Sequence, residues 1–514
     1  MKSQKPHPIR VLHPWLLAVF PILFLYAHNI DQVPFRQIPL PASVVLIVSA
    51  VMWLILRAIV RNRYKAGMLL SLGLIYFFSY GHFYHAVQGW EAAGLRIGIN
   101  TYMLPAWAIP FLVAAVAVLK THKPLQQFTR VLNIAGLSLV VLPLLSIGGH
   151  LVRPAGDIET DVKVSEFPAI PMNVTRPAVC PDIYFIILDG YSRSDILKEI
   201  FNYDNSEMLD FLSQRGFYVV SRAQSNYMES RQSIRATLNL DYLNKQIEQL
   251  SSDNRVFRFL KEQDYTTIAF ASGYVPTELQ YADVYLSPGF SLNDFEMELI
   301  NTTPLAALYK LRKVLFHLRR KRVFYTLDNI SDLPAQESPF IVFAHIMCPH
   351  PPFIFGRDGQ MPVYKTFTLT ADTDTETIYG SLDRYFRLYG DQVEFLNLKV
   401  RETIDRILAR PGNRPIIIIQ ADHGNRHMVD WKHPEQSDLK SPFCIFSACY
   451  FPDGDYSRLN ESLSSVNTFR VVFNQFFGTD YALLKNETYF SKSRKHQKVS
   501  DVIGDEPIVD KAEQ

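Results

Sequence analysis

Three strongly apolar stretches of this 514-residue chain each run into a side chain that can bind a cation or carry a proton. Ile416-Ile-Ile-Ile-Gln-Ala-Asp-His-Gly424 ends in Asp422 and His423. Ile183-Tyr-Phe-Ile-Ile-Leu-Asp-Gly190 ends in Asp189, and Phe340-Ile-Val-Phe-Ala-His345 leads into Cys348-Pro-His350-Pro-Pro-Phe353. Four isoleucines in a row are too apolar and too β-branched for a surface segment. They read as a strand buried on both faces, as in a parallel sheet covered by helices. Open α/β sheets bind ligands at the carboxyl ends of their strands, and a carboxylate beside an imidazole there is a candidate metal site. Singly, each residue reads as well as a capping Asp or a satisfied loop histidine. Three such strand ends on one rim favour a metal-dependent active site.

A metal site needs a reacting group. Ser225-Asn-Tyr-Met-Glu-Ser230-Arg-Gln-Ser233-Ile-Arg235-Ala-Thr237 places several hydroxyls at the predicted start of a helix. The unpaired N–H groups of a helix amino terminus favour an anion such as phosphate. A hydroxyl there, coordinated to a divalent cation, can lose its proton near neutral pH and attack phosphorus or sulfur. The competing role for Ser230 is a plain N-cap.

The elements around these residues alternate. After the Asp189 strand, 206–215 reads as helix, 216–220 as strand, 256–263 as helix and 266–270 as strand. A long helix over 380–409 has apolar Val393, Leu396, Val400, Ile404 and Leu408 at three- to four-residue spacing and leads into the Asp422 strand. This order predicts an α/β domain with a mostly parallel sheet flanked by helices. The four cysteines show no CxxC spacing, so neither a zinc knuckle nor a dithiol redox motif is indicated. The segment 310–323 is basic and amphipathic, and reads either as a solvated helix or as one lying on anionic headgroups.

Ahead of this domain the composition changes. Residues 1–148 hold two acids, Asp31 and Glu91, against twelve Lys and Arg; the remainder is net acidic, and neither part carries the basic stripe of a nucleic-acid binder. Five apolar runs, at 11–27, 40–60, 66–87, 103–119 and 131–148, predict five transmembrane helices. Lys2, Lys5 and Arg10, then Arg57, Arg61, Arg63 and Lys65, then Lys120, Lys123 and Arg130 mark one side, against Arg36 and Arg96 on the other. By the positive-inside rule the amino terminus is cytoplasmic and everything after residue 148 is outside. The expected organisation is a transmembrane domain at 1–148, a Pro-rich linker at 149–181, a catalytic domain at 182–480 and a C-terminal extension at 481–514.

The set Leu188-Asp189-Gly190, Asn226-Tyr227-x-x-Ser230-x-x-Ser233, His350-Pro-Pro-Phe353 and Ala421-Asp422-His423-Gly424 resembles the alkaline phosphatase/sulfatase superfamily. Within it the likeness is to membrane-anchored lipoteichoic acid synthases and phosphoethanolamine transferases. The resemblance implies that Asp189, Ser230, Asp422 and His423 ligate one divalent ion, manganese, magnesium or zinc. Ser230 stands where these transferases usually carry a threonine nucleophile. His350 matches a histidine close to the transferred phosphoryl group, and His433 is set against a second one. Asp189 replaces a carboxylate that is Glu in many of these transferases, with a shorter reach. A sulfatase needs C/S-x-P-x-R for formylglycine, whereas Gln232 and Ile234 stand at the Pro and Arg positions here.

The implied activity is transfer of a phospho-headgroup from a membrane lipid donor to an envelope glycan or lipid acceptor. The catalytic domain would be periplasmic or extracellular. A sulfatase-like or phosphodiester hydrolase on the same scaffold is the alternative, and a non-catalytic membrane module is a third reading.

Overall fold

The computed structural model describes residues 9–92, 95–152, 174, 180–243, 254–333, 339–363, 379–410, 414–431, 433, 437–492 and 495–498. It divides into two compact units. One comprises Met1–Pro154 with Leu292–Leu315, and the other Ala155–Ser291 with Phe316–Gln514. Residues 292–315, inside the stretch expected to be catalytic domain, thus cluster with the membrane-type unit. Most of the expected linker lies outside the described residues.

The first unit holds five helices, α1 (His13–His28), α2 (Pro39–Val60), α3 (Arg63–Val87), α4 (Asn100–Lys120) and α5 (Gln126–Val152). Four of the five expected spans are long and apolar enough to cross a bilayer. The exception is α1, whose 16 residues rise only about 24 Å at ~1.5 Å each. It ends at Asn29, whose N–H bonds Tyr26 O at 2.9 Å. Its Leu17, Ala18, Ile22 and Tyr26 are buried. The inserted segment docks in the same unit. Phe295 and Leu299 join Ile22, Tyr26, Val33, Ile38 and Phe78 in one core cluster. Gly81 N–H bonds Thr302 O at 2.9 Å, an approach open only to glycine, because a Cβ at position 81 would lie 2.1 Å from Asn301 O.

The second unit is built on a seven-stranded sheet. Its strands are β1 (Ile183–Leu188), β2 (Tyr218–Val219), β3 (Thr266–Phe270), β4 (Val284–Leu286), β5 (Phe340–Ile346), β6 (Ile416–Gln420) and β7 (Ser447–Tyr450). Their spatial order is β2-β7-β6-β1-β5-β3-β4. The five strands from β6 to β4 are parallel, and β7 and β2 extend the β6 edge antiparallel. All residues of β1, β5 and β6 are buried, as their unbroken apolar runs require. β7 comes from the apolar run 443–451.

Three helices matter for the site. α6 (Ser230–Asn239) carries the candidate nucleophile. α7 (Tyr309–Asn329) contains the basic stretch, and α8 (Leu382–Leu408) is the long amphipathic helix. Ser381 caps α8 by accepting from Arg384 N–H, and Val393, Leu396, Val400 and Ile404 are buried along it. Two bases of α7 are structural. Arg320 donates to Ile354 O and Gly359 O, both at 2.6 Å, and Arg322 to Ser272 O at 3.3 Å. Part of the C-terminal extension is also built in. Tyr489 N–H bonds Asn226 O at 2.9 Å, Asn226 Nδ2 donates to Glu487 O at 2.8 Å, and the Tyr489 ring stacks on Tyr227.

Candidate metal centre and nucleophile

The register of the three central strands brings their ends together. Ile187 of β1 lies opposite His345 on one side and Gln420 on the other. Two residues beyond Gln420 the chain delivers Asp422, and two beyond Ile187 it delivers Asp189. At Gly190 the backbone turns through φ +71°, a conformation that favours glycine. Its N–H then bonds Asp422 Oδ1 at 3.1 Å, and His423 N–H bonds the same oxygen at 2.9 Å. One edge of Asp422 is thereby fixed, and Oδ2 is left facing the cluster.

Around that oxygen sit the other candidate ligands. His423 Nε2 is 3.4 Å from Asp189 Oδ1 and 3.7 Å from Asp422 Oδ2. His345 Nε2 is 3.2 Å from Asp189 Oδ2 and 3.7 Å from Asp422 Oδ2. Ser230 Oγ approaches His423 Nε2 at 3.3 Å. The N-cap of α6 is Glu229, with no side-chain capping bond, so the Ser230 hydroxyl is not spent as a cap. The structure therefore brings Asp189, Ser230, Asp422 and His423 together and adds His345. His350 joins through a group in which its ligand atom and those of Asp189 and His423 lie within 4.8 Å of one another.

The three imidazoles share one arrangement. His423 Nδ1 is 2.7 Å from Gly424 O, His350 Nδ1 is 2.6 Å from Pro351 O, and His345 Nδ1 is 2.7 Å from Thr277 Oγ1. The Thr277 hydroxyl donates to Tyr274 O, so it accepts from His345. Each Nδ1 is then the N–H, and each Nε2 is left as the reactive nitrogen.

Buried and facing these nitrogens, Asp189 Oδ1, Asp422 Oδ2 and the Asp189 Oδ2–His345 Nε2 pair have no further hydrogen-bond partner among the described residues. Buried polar atoms without partners are costly. Two carboxylates meeting imidazole nitrogens is a donor set that a divalent cation satisfies. The residues fit such an ion.

The electrostatics agree. Burial alone would raise the Asp189 carboxyl, yet His350, His345 and His423 together hold it well below the usual range. Burial would lower the His345 imidazole, yet Asp189 and Asp422 raise it above its ordinary value. For His423 burial prevails and lowers it. A proton on His345 or a cation in the gap are two ways of balancing the same negative charge.

His433 lies ten residues beyond His423 in the chain. Its side chain is 56% exposed and its Nδ1 is 3.2 Å from Asp430 Oδ2. It is in neither group of candidate ligands among the described residues. His345 is legible in the sequence as a histidine closing a buried strand. Arg426, whose Nη2 is 3.1 Å from His350 Nε2, gave no signal, because it joins no motif.

No family model and no curated protein matches this chain. Solved structures do. The C-terminal periplasmic domain of EcEptC from Escherichia coli, in complex with Zn, is 11% identical with a TM-score of 0.44, covering 65% of this chain and 96% of that one. The integral membrane lipooligosaccharide phosphoethanolamine transferase A from Neisseria meningitidis is 12% identical with a TM-score of 0.41, covering 90% and 94%. The lipoteichoic acid synthase LtaP from Listeria monocytogenes is 14% identical with a TM-score of 0.37, covering 61% and 78%. The likeness falls on the proteins that the motifs resemble. At these identities and scores it carries no inference about the chemistry of this chain.

Proposed function

We propose that this chain is a membrane-anchored, metal-dependent phosphotransferase that moves a phospho-headgroup from a lipid donor to an envelope glycan or lipid acceptor through a phospho-Ser230 intermediate. The observation that carries this reading is the Ser230 hydroxyl. It is free of capping duty and stands 3.3 Å from His423 Nε2, which itself faces Asp189 Oδ1 and Asp422 Oδ2.

A divalent ion held by Asp189, Asp422, His423 and Ser230 would make the hydroxyl more acidic and offset charge on the phosphoryl oxygens. The imidazole nitrogen of His423 favours zinc over magnesium for this role. Ser230 Oγ forms a bond to phosphorus as the bond from phosphorus to the lipid oxygen breaks, and the lipid alcohol leaves with a proton. In the second half an acceptor hydroxyl attacks the phospho-Ser, loses its proton, and Ser230 regains one. His350, which joins Asp189 and His423 in one group, would hold the proton in both halves. His433 is the second candidate for proton transfer.

The charge pattern supports an extracytoplasmic site. With α2–α5 as spans, the basic loops α2–α3 and α4–α5 lie inside, so the end of α5 lies outside whether or not α1 crosses. Residues 292–315 dock against Val33, Ile38, Phe78 and Gly81, at the ends that this rule also places outside.

Mass measurement of the Ser230 peptide from full-length protein, loaded with metal and incubated with phospholipid, tests the reading. The expected result is a headgroup phosphate adduct that is absent in Ser230→Ala. Headgroup release into water at the same rate with and without acceptor would turn the reading to a hydrolase, and formylglycine at position 230 would turn it to a sulfatase.

A further inference from the structure

Arg426 lies on the loop that leaves Asp422 and His423, and it has no part in the mechanism so far. Its guanidinium is half-buried between two elements of the site. Nη1 donates to Met228 O at 3.3 Å, two residues before Ser230. Nη2 donates to His350 Nε2 at 3.1 Å, and the group lies over the Trp431 ring at 5.7 Å. Arg426 makes no ion pair with a carboxylate among the described residues. A guanidinium has five N–H donors in a rigid fork. Here two donors are engaged, one by a backbone carbonyl and one by an imidazole nitrogen.

A charged group taken partly out of water is stabilised when it meets opposite charge. Neither the Met228 carbonyl nor the His350 imidazole carries a negative charge. A tetrahedral oxyanion does, through two parallel charge-assisted hydrogen bonds to non-bridging oxygens. The ring of Trp431 and the carbonyl of Met228 hold the fork between the nucleophile loop and His350, where a phosphoryl group attacked by Ser230 would present those oxygens.

We propose that Arg426 is the anion-gripping residue of this site. On arrival of the phosphoryl group its fork leaves His350 Nε2 for two phosphoryl oxygens, which binds the anion and frees His350 of this contact. This rests on the phosphotransferase reading of Ser230 and its cluster. The ligand class is a phosphate bearing at least two non-bridging oxygens, whether a lipid phosphodiester headgroup or free phosphate.

The test is calorimetric binding of inorganic phosphate to detergent-purified, metal-loaded full chain, with metal content measured in every variant. Arg426→Ala should keep its metal and bind phosphate about tenfold to hundredfold more weakly, the weight of one or two charge-assisted hydrogen bonds. Arg426→Lys should recover part of the loss, and added guanidinium should restore binding to Arg426→Ala. The same loss should appear when Arg426→Ala is made in a His350→Ala background, because a residue that only props His350 would then have nothing left to do. Headgroup release from phosphatidylglycerol and phosphatidylethanolamine vesicles separates the sources. A raised KM with the weakened phosphate binding identifies a lipid phosphodiester, and weakened phosphate binding alone identifies free phosphate. Unchanged phosphate affinity in Arg426→Ala, beside a parent that binds, overturns the role of Arg426 and leaves the Ser230 reading standing. A metal-loaded parent that binds no phosphate sinks both.

Discussion

The two units break the ordinary inside-outside rule in opposite senses. In α4 no residue is buried, and Leu112 and Val113 are 57% and 65% exposed. In β6, Ile416–Ile419 are wholly buried, but at the end of that strand so are Asp422 and His423. Each departure identifies what its surface is made to meet. Apolar side chains facing outward from a helix whose own backbone bonds are complete suit hydrocarbon. Carboxylates and imidazoles facing inward suit a cation. The same isoleucine or valine thus does different work in the two units, and only its surroundings say which.

The comparison can be broken at several points. The largest effect should come from Asp422→Asn, which removes a charge whose Oδ2 has no other task. Bound metal should disappear on elemental analysis and headgroup release should fall about thousandfold or more; a variant that keeps both would mean the buried acids are structural. Next, Ile418→Ala should cost about 2–5 kcal/mol, as for other buried large-to-small changes, while Leu112→Ala should cost under about 1 kcal/mol. Denaturant or thermal unfolding of the two variants in one detergent decides this. Equal losses would show that α4 packs on protein in the folded assembly.

His345→Gln keeps a polar side chain but gives up the imidazole behind Asp189. Metal affinity should weaken about tenfold to hundredfold, read by competition with a chelator, and unchanged affinity would remove His345 from the site. The smallest effect should be that of His433→Ala, whose exposed side chain holds only Asp430. Its kcat/KM should change by less than about threefold, and a loss comparable to that of Asp422→Asn would return His433 to the catalytic set.

Much of this site was legible because chemistry and strand geometry coincide in sequence. A strand buried on both faces cannot hide its apolar run, so the acids closing β1 and β6 announce themselves. The glycines after Asp189 and His423 mark where the chain must leave the sheet. The capping role of Ser230 was open in sequence, and it is the Glu229 N-cap and the nearby His423 that free the hydroxyl. Arg426 left no trace, since its partners Met228 and His350 are brought to it by other elements. Nor did residues 292–315 or Tyr489 announce the unit and the loop they pack against.

The sequence by itself determined the apolar helices of the first unit, the α/β alternation of the second, and the candidate ligands Asp189, Asp422 and His423, because hydrophobic periodicity and strand-end chemistry are local. Only the tertiary structure decided that His345 and His350 both come to Asp189, and that Arg426 bridges the nucleophile loop to His350. Those facts depend on sheet order and on contacts between residues distant in the chain, and no local pattern encodes which of several available histidines and arginines the fold will bring to one point.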